Sequence, residues 1–532
     1  MRRPQRSDQK IGYLGPSGAE WGLGGTLLVM ERLSGLDAAF LSLESPVDHM
    51  HVMAVAILDP SDVPGGFTAR TMRRLVGERL SRIPQFRRRL VEVPFNLHHP
   101  LWVEDPDFDL EYHVRQVAAI APGGERELAS LVGEISSRQL DRTRPLWQFW
   151  VVEGLADGNV ALVAKMHHSA IDGASGVDVL GHLVDLEPTP VAPEEELEPW
   201  RPDRVPTEIE MILGSVVSIA RRPEQIARAG VNLGKGLIRL GQSALEGSMT
   251  GVAAPFTAPR LPWNAAITPH RKVAFSTVSL ADVKVVKDAF GLTVNDVVLA
   301  VVSGALRIYL TGIDALPDKP LVAVVPTNVR TKNQKGVMGN VVSAMFASLP
   351  SHLPDPVHRL ALVAESMGQA KQTQRDLGGT ILGEWAEVAT APILSSGIRL
   401  YRRFSERMRP IYNLVVSNVP GPPVPVYMAG ARVVSLVPMG PVFDGAGLNI
   451  TVLSYMDRVD VGFMACRETV PSLWSLAEAI PAAMEELLEA ARGSSGVAAS
   501  STAEVDLTKD DAEVLGDEDT AASVSSHPSA ER

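Results

Sequence analysis

The sequence predicts an α/β fold with two cores, on three observations. Strand-like and helix-like stretches alternate through its second half, a short apolar strand followed by a helix pattern closes its first half, and a stretch rich in Pro and Glu separates the two. Of 532 residues, 45% are hydrophobic and 21% charged, an ordinary globular composition with enough chain for two or more cores.

The elements follow in chain order. Residues 1–29 begin with Arg2 and Arg3, but Pro4, Gln5, Ser7, Asp8 and Gln9 stand where the apolar core of a secretion signal would start. They read as a disordered extension, with Met30 an alternative start. Residues 30–187 form a first domain ending on residues 159–166, whose short apolar run suits a buried strand. A helix with Val177, Leu180 and Val184 follows, starting at a capping-box-like Ser175-Gly176-Val177-Asp178.

Residues 188–258 begin as an exposed linker through Pro188-Thr189-Pro190, Glu194-Glu195-Glu196, Pro199 and Pro202. Apolar and basic positions then alternate over residues 206–247, as in one or two amphipathic helices broken near Pro223. Their acidic residues nearly balance the basic ones, so covering a core or bridging two domains is favoured over lying on lipid. Residues 259–492 form a second α/β domain: a strand over 273–278, helices from Leu280 and over 294–310, and strands over 321–325, 414–417 and 448–454. Residues 493–532 carry nine acidic residues against Lys509 and Arg532 and read as a disordered tail.

Several function classes are excluded. A net charge of −12 opposes nucleic-acid binding, which needs many cations on phosphates. The sole cysteine, Cys466, rules out an internal disulfide framework and a multi-cysteine zinc site, and fits a reducing cytoplasm. No window reaches the ~18 uninterrupted apolar residues of a spanning helix, which leaves a soluble protein or one on a membrane surface.

The chemistry concentrates in His167-His168-Ser169-Ala170-Ile171-Asp172-Gly173, at the end of the predicted core strand. A neutral histidine removes a proton from a hydroxyl near pH 7, because its ordinary pKa of about 6.5 lies close by. Adjacent strand residues point to opposite faces, so one histidine serves as base and the other packs. Asp172, His182 and Asp185 give no familiar zinc spacing, and no metal is expected. The G-x-S-x-G elbow of a serine nucleophile is absent, so direct transfer with histidine as base is the simpler route.

The heptapeptide resembles the HHxxxDG signature of coenzyme-A-dependent acyltransferases related to chloramphenicol acetyltransferase and of peptide-synthetase condensation domains. Further stretches, in order, resemble the bacterial wax ester synthase/diacylglycerol acyltransferases. They are Met30-Glu31-Arg32-Leu33-Ser34-Gly35-Leu36-Asp37 with Phe40, Asp141-Arg142-Thr143-Arg144-Pro145-Leu146-Trp147, Thr293-Val294-Asn295-Asp296-Val297-Val298-Leu299, Val325-Pro326-Thr327-Asn328-Val329-Arg330, Gly339-Asn340 and Ser417-Asn418-Val419-Pro420-Gly421-Pro422. The resemblance implies two chloramphenicol-acetyltransferase-like domains with the active-site channel between them.

It also implies acyl-CoA-dependent esterification of diacylglycerol to triacylglycerol, or of long-chain alcohols to wax esters, with acyl-CoA as substrate and no cofactor. His168 matches the catalytic second histidine, and His167 is expected to pack beside it. Asp172 matches a structural aspartate paired with an arginine, Arg144 or Arg330. Asn295, in the first turn of a helix capped by Thr293, is the candidate oxyanion donor, while Asp296 is expected to cap that helix with Thr293. Pro145-Leu146-Trp147 is expected to shape channel or core. Arg330, Lys332 and Lys335 form the best basic cluster for the phosphates of coenzyme A, with a solvated loop as the competing reading.

Apolar substrates would arrive from the inner membrane face or a lipid droplet. Two rivals stay open: an acyltransferase or condensing enzyme using carrier-protein thioesters, and a non-catalytic lipid-binding protein.

Overall fold

The computed structural model describes residues 18–21, 28–170, 181–189, 204–220, 256–328, 342–377 and 409–505. Two six-stranded sheets dominate it. The first has the order Tyr427–Met428, Ala431–Met439, His51–Asp59, Val160–His167, Trp147–Glu153, Val114–Ala118. The second has the order Val342–Leu349, Leu321–Asn328, Leu414–Pro420, Leu448–Tyr455, Arg458–Cys466, Arg271–Ser279. The predicted α/β class holds, and the central strands read as the near-continuous apolar runs that burial on both faces demands. Every residue of Val160–His167 is buried.

The sheets are interlocked. Ala431–Met439 lies late in the chain yet pairs antiparallel with His51–Asp59 of the first sheet. A cut in the linker would therefore leave that sheet without two of its strands. The two sheets meet so closely that a Cβ on Gly462 would stand 1.9 Å from the Pro438 carbonyl oxygen, so only glycine fits. Beside that crossing Asp460, wholly buried, accepts from Thr277 Oγ1 (2.7 Å), Ser435 Oγ (2.9 Å) and the Leu436 N–H (3.1 Å). One carboxylate thus ties strands of both sheets. A core of Met53, Val55, Val132, Ile135, Val163, Val273, Val437 and Met464 fills the space between them.

The second sheet's main core is packed by the helices Leu280–Phe290, Val294–Gly312, Pro356–Leu377 and Leu473–Val505. Val294–Gly312 is long and apolar enough to cross a bilayer, but most of it is buried in this core. The helix Glu208–Ala220 lies where the first amphipathic helix was predicted. It buries Met211 against Val93, Leu101 and Val103, so it does cover a small core.

Two expectations are corrected. Within the supposed extension, Gly18–Trp21 pairs with Leu28–Arg32, which continues onto Leu101–Glu104. The hairpin is local, but it is anchored through Glu31 and Arg32 to a strand some seventy residues away, which local composition cannot reveal. At the other end, the helix Leu473–Val505 runs twelve residues past Gly493, the start of the supposed tail. An established helix extends through Ala-rich sequence without a new nucleus, so acidic composition alone misplaced the boundary. Residues 506–532 lie outside the described residues.

Candidate active site

The histidine pair stands where Val160–His167 ends, and strand alternation divides it as predicted. His167 lies on the face of Lys165, directly opposite His51 of the neighbouring strand. His168, one residue on, stacks on Phe40 with ring centroids 4.0 Å apart and planes inclined by 21°. Phe40 belongs to the helix Gly35–Leu43, which starts because Ser34 Oγ accepts the Asp37 N–H at 3.1 Å. Four residues after Phe40, on the same side of that helix, comes its C-cap Glu44. The helix therefore brings an aromatic face to His168 and a carboxylate to His167.

The backbone of the pair is pinned at four successive amides. The His167 N–H donates to Leu146 O (3.0 Å), His168 to Met50 O (2.8 Å), Ser169 to His167 Nδ1 (3.1 Å) and Ala170 to His167 O (3.0 Å). Leu146 thereby ties the Pro145-Leu146-Trp147 stretch to the histidines. That stretch is core: Leu146 and Trp147 are buried, and Trp147 stacks between Phe86 and His113 while its Nε1–H donates to Phe86 O at 2.9 Å.

Behind His168 lies a buried polar cluster. His167 Nδ1 accepts from the Ser169 N–H and faces Ser169 Oγ at 2.7 Å, so the proton of the neutral ring sits on Nε2. Nε2 faces Glu44 Oε2 at 3.8 Å, and that same oxygen accepts from Arg142 Nε at 2.6 Å. Burial holds the His167 imidazole down to about 3, with the Arg142 and His168 charges adding to the effect. His51 is held well below its ordinary value, first by burial and then by Lys165. Lys165 is itself pushed down to about 7 by burial, and its Nζ donates to Ile135 O at 2.9 Å and to Arg138 O. Burial pushes the Glu44 carboxyl up, against the pull of Arg142. His167 is thus a ring that burial keeps neutral.

Asn295 stands in the second half, in the first turn of Val294–Gly312. Thr293 and Asp296 form the expected reciprocal cap: Asp296 N–H donates to Thr293 Oγ1 (3.3 Å) and Thr293 N–H to Asp296 Oδ2 (3.0 Å). Asn418 Nδ2, at the end of Leu414–Pro420, donates to Asn295 Oδ1 at 3.3 Å. That bond occupies the acceptor end of the Asn295 amide and leaves its NH2 as a donor. Arg144 packs over the Tyr112 ring at 4.3 Å and lies 4.0 Å from Asp141. Asp172, Arg330, Lys332 and Lys335 lie outside the described residues.

Residues 33–298 match the wax ester synthase/diacylglycerol acyltransferase catalytic domain, and residues 338–488 match the C-terminal domain of the same family. The chain belongs to the wax ester synthase/diacylglycerol acyltransferase family. A Mycobacterium tuberculosis (strain H37Rv) protein named as a candidate diacylglycerol O-acyltransferase is 39% identical over 461 residues, covering 86% of this chain and 90% of its own. A second from that strain, named likewise, is 36% identical over 473 residues, 87% of this chain and 98% of its own. The solved wax ester synthase/diacylglycerol acyltransferase of Marinobacter aquaeolei VT8 superposes with a TM-score of 0.62 at 29% identity, over 86% of this chain and 99% of that one.

The fold extends beyond the wax ester synthase/diacylglycerol acyltransferases. A trichothecene 15-O-acetyltransferase of Fusarium sporotrichioides shares it at a TM-score of 0.55 and 12% identity, covering 90% of this chain and all of its own. Within the family site, sequence reasoning passed over Glu44, His51, Lys165 and Ser169. The one available signal was spacing: Glu44 follows Phe40 by four positions.

Proposed function

We propose that this acyltransferase moves a long-chain acyl group from coenzyme A to the hydroxyl of diacylglycerol, with long-chain alcohols as further acceptors, and that His168 is the base. The observation that carries this is the second signature histidine, half-buried on a turn whose amides are all engaged, beside a first histidine too buried to take a proton. His168 takes the acceptor hydroxyl's proton as that oxygen attacks the thioester carbonyl. The new C–O bond gives a tetrahedral intermediate, whose oxyanion the Asn295 NH2 is suited to meet. Collapse breaks the C–S bond, and the departing thiolate takes the proton back from His168.

Purified protein should release thiol from palmitoyl-CoA only when an alcohol or diacylglycerol is present, and His168→Ala should abolish this. Full activity in that variant, or release without acceptor, overturns the assignment. Acylation from an acyl-carrier-protein thioester and not from acyl-CoA would transfer the reading to the carrier-dependent class.

The same reading puts the protein on the inner membrane face or a lipid droplet. Supporting it, Glu208–Ala220 leaves Ile209, Leu213 and Val216 exposed (70, 50 and 53%) at positions that share one side. Phe95, in a turn touching that helix, is 86% exposed and held with Asn96 in left-handed backbone (φ 59° and 51°), an arrangement costly without a use. Phe95→Ser with Leu213→Ser should lower co-sedimentation with phosphatidylcholine vesicles while leaving turnover of a water-soluble alcohol intact; unchanged sedimentation rejects this surface.

A further inference from the structure

Proton transfer in the transition state demands an imidazole placed to within a fraction of an ångström, yet His168 sits at a strand end, where chains ordinarily fray. The geometry supplies the restraint from behind. Ser169 reaches back over His168 to His167 Nδ1 with both its N–H (3.1 Å) and its Oγ (2.7 Å), so the residues flanking His168 are bonded to each other. For His167 to accept on Nδ1, its proton must sit on Nε2, which points toward Glu44 Oε2 at 3.8 Å, an electrostatic contact longer than a hydrogen bond. Glu44 is itself held by Arg142, whose Nε donates to it at 2.6 Å and whose second terminal nitrogen donates to Leu41 O at 2.8 Å. Ser169, His167 and Glu44 are each at least nine-tenths buried, and the chain reaches solvent only at Arg142.

We propose that Arg142, Glu44, His167 and Ser169 form a buried chain that positions the base, with Glu44 and Ser169 as positioning residues acting on His168 through the tautomer of His167. The Ser169 N–H, which can only donate, makes Nδ1 the acceptor and so calls for the Nε2–H tautomer; the Glu44 carboxylate, 3.8 Å from Nε2, favours the same tautomer by its charge. Protonating or reversing the ring would turn Nδ1 into a donor facing the Ser169 N–H, which breaks the backbone half of the bridge and leaves only the Oγ contact. Positioning by two hydrogen bonds changes the chemical step and not acyl-CoA binding, because none of the four residues needs to touch coenzyme A. The proposal rests on His168 being the base.

The experiment is steady-state kinetics with palmitoyl-CoA and a long-chain alcohol on Ser169→Ala, Ser169→Thr, Glu44→Gln and Arg142→Lys beside His168→Ala, with a thermal melt of each. Ser169→Ala should lower kcat roughly tenfold with KM for acyl-CoA within about twofold of the parent, and Ser169→Thr, which keeps a hydroxyl, should regain most of it. Glu44→Gln keeps the shape but loses the charge and should fall by a similar factor. Arg142→Lys changes the solvent-exposed end, should melt like the parent and should lose only a few-fold in kcat. An inactive His168→Ala beside Ser169→Ala and Glu44→Gln of near-parental kcat overturns the chain alone; an active His168→Ala overturns the base assignment beneath it. A rise in KM with kcat unchanged would also overturn positioning, since it would place these residues in substrate binding.

Discussion

The two ends that carry the proposed chemistry are built in opposite ways. Around the histidines, His49, His51, Lys165, His167 and Ser169 are buried beside the Glu44 side chain, a dense set of polar groups at one end of the first sheet. Around Asn295, the helix Val294–Gly312 buries almost nothing polar except Asp296 and Ser303, and is fixed by valine, leucine and alanine packing. The difference follows from what each end must deliver. A base needs its ring orientation set, and a network of directional bonds surrounds it; Asn295 rides on a helix held rigid by non-directional packing, with its amide oriented by the bond from Asn418.

This contrast can be broken in order of effect. His168→Ala should lower kcat by roughly a thousandfold, the scale of lost general-base catalysis, and Asn295→Ala by roughly a hundredfold, the scale of one lost oxyanion donor. Equal rates for Asn295→Ala and the parent would remove the second half from the chemistry.

Acid should act through the first half. His167 at about 3 and His113 at about 4 stay neutral in the fold, whereas the unfolded chain binds their protons near 6.5. Between those values the unfolded state holds more protons, so their contribution is present in full above pH 6.5 and is lost as pH falls towards 3 to 4. The melting midpoint should therefore drop steadily below pH 6.5; a midpoint flat from pH 7 to 4.5 would contradict the buried neutral histidines. The smallest effect concerns binding only: Lys332→Ala with Lys335→Ala should raise KM for acyl-CoA several-fold at unchanged kcat, and an unchanged KM rejects that basic loop as the phosphate contact.

Much of this was legible in the sequence. The α/β class, the buried strand before the histidines, the opposed faces of the pair and the Thr293–Asp296 cap all depend on periods and spacings a few residues long, and they stand in the structure. Leu146 and Trp147 were read as shaping channel or core, and they are core. Local composition misled at both ends, where a hairpin anchored to a distant strand and a helix continued into a Ser- and Ala-rich stretch.

The sequence by itself determined the chemistry available: which histidine could be a base, which helix terminus could offer an amide, and which family the ordered motifs belong to. Only the tertiary structure decided what holds them. Glu44 and Ser169 are separated by 125 positions, and the Ala431–Met439 strand joins the first sheet from late in the chain. Such pairings are chosen by burial and register over the whole fold, and no local pattern encodes them.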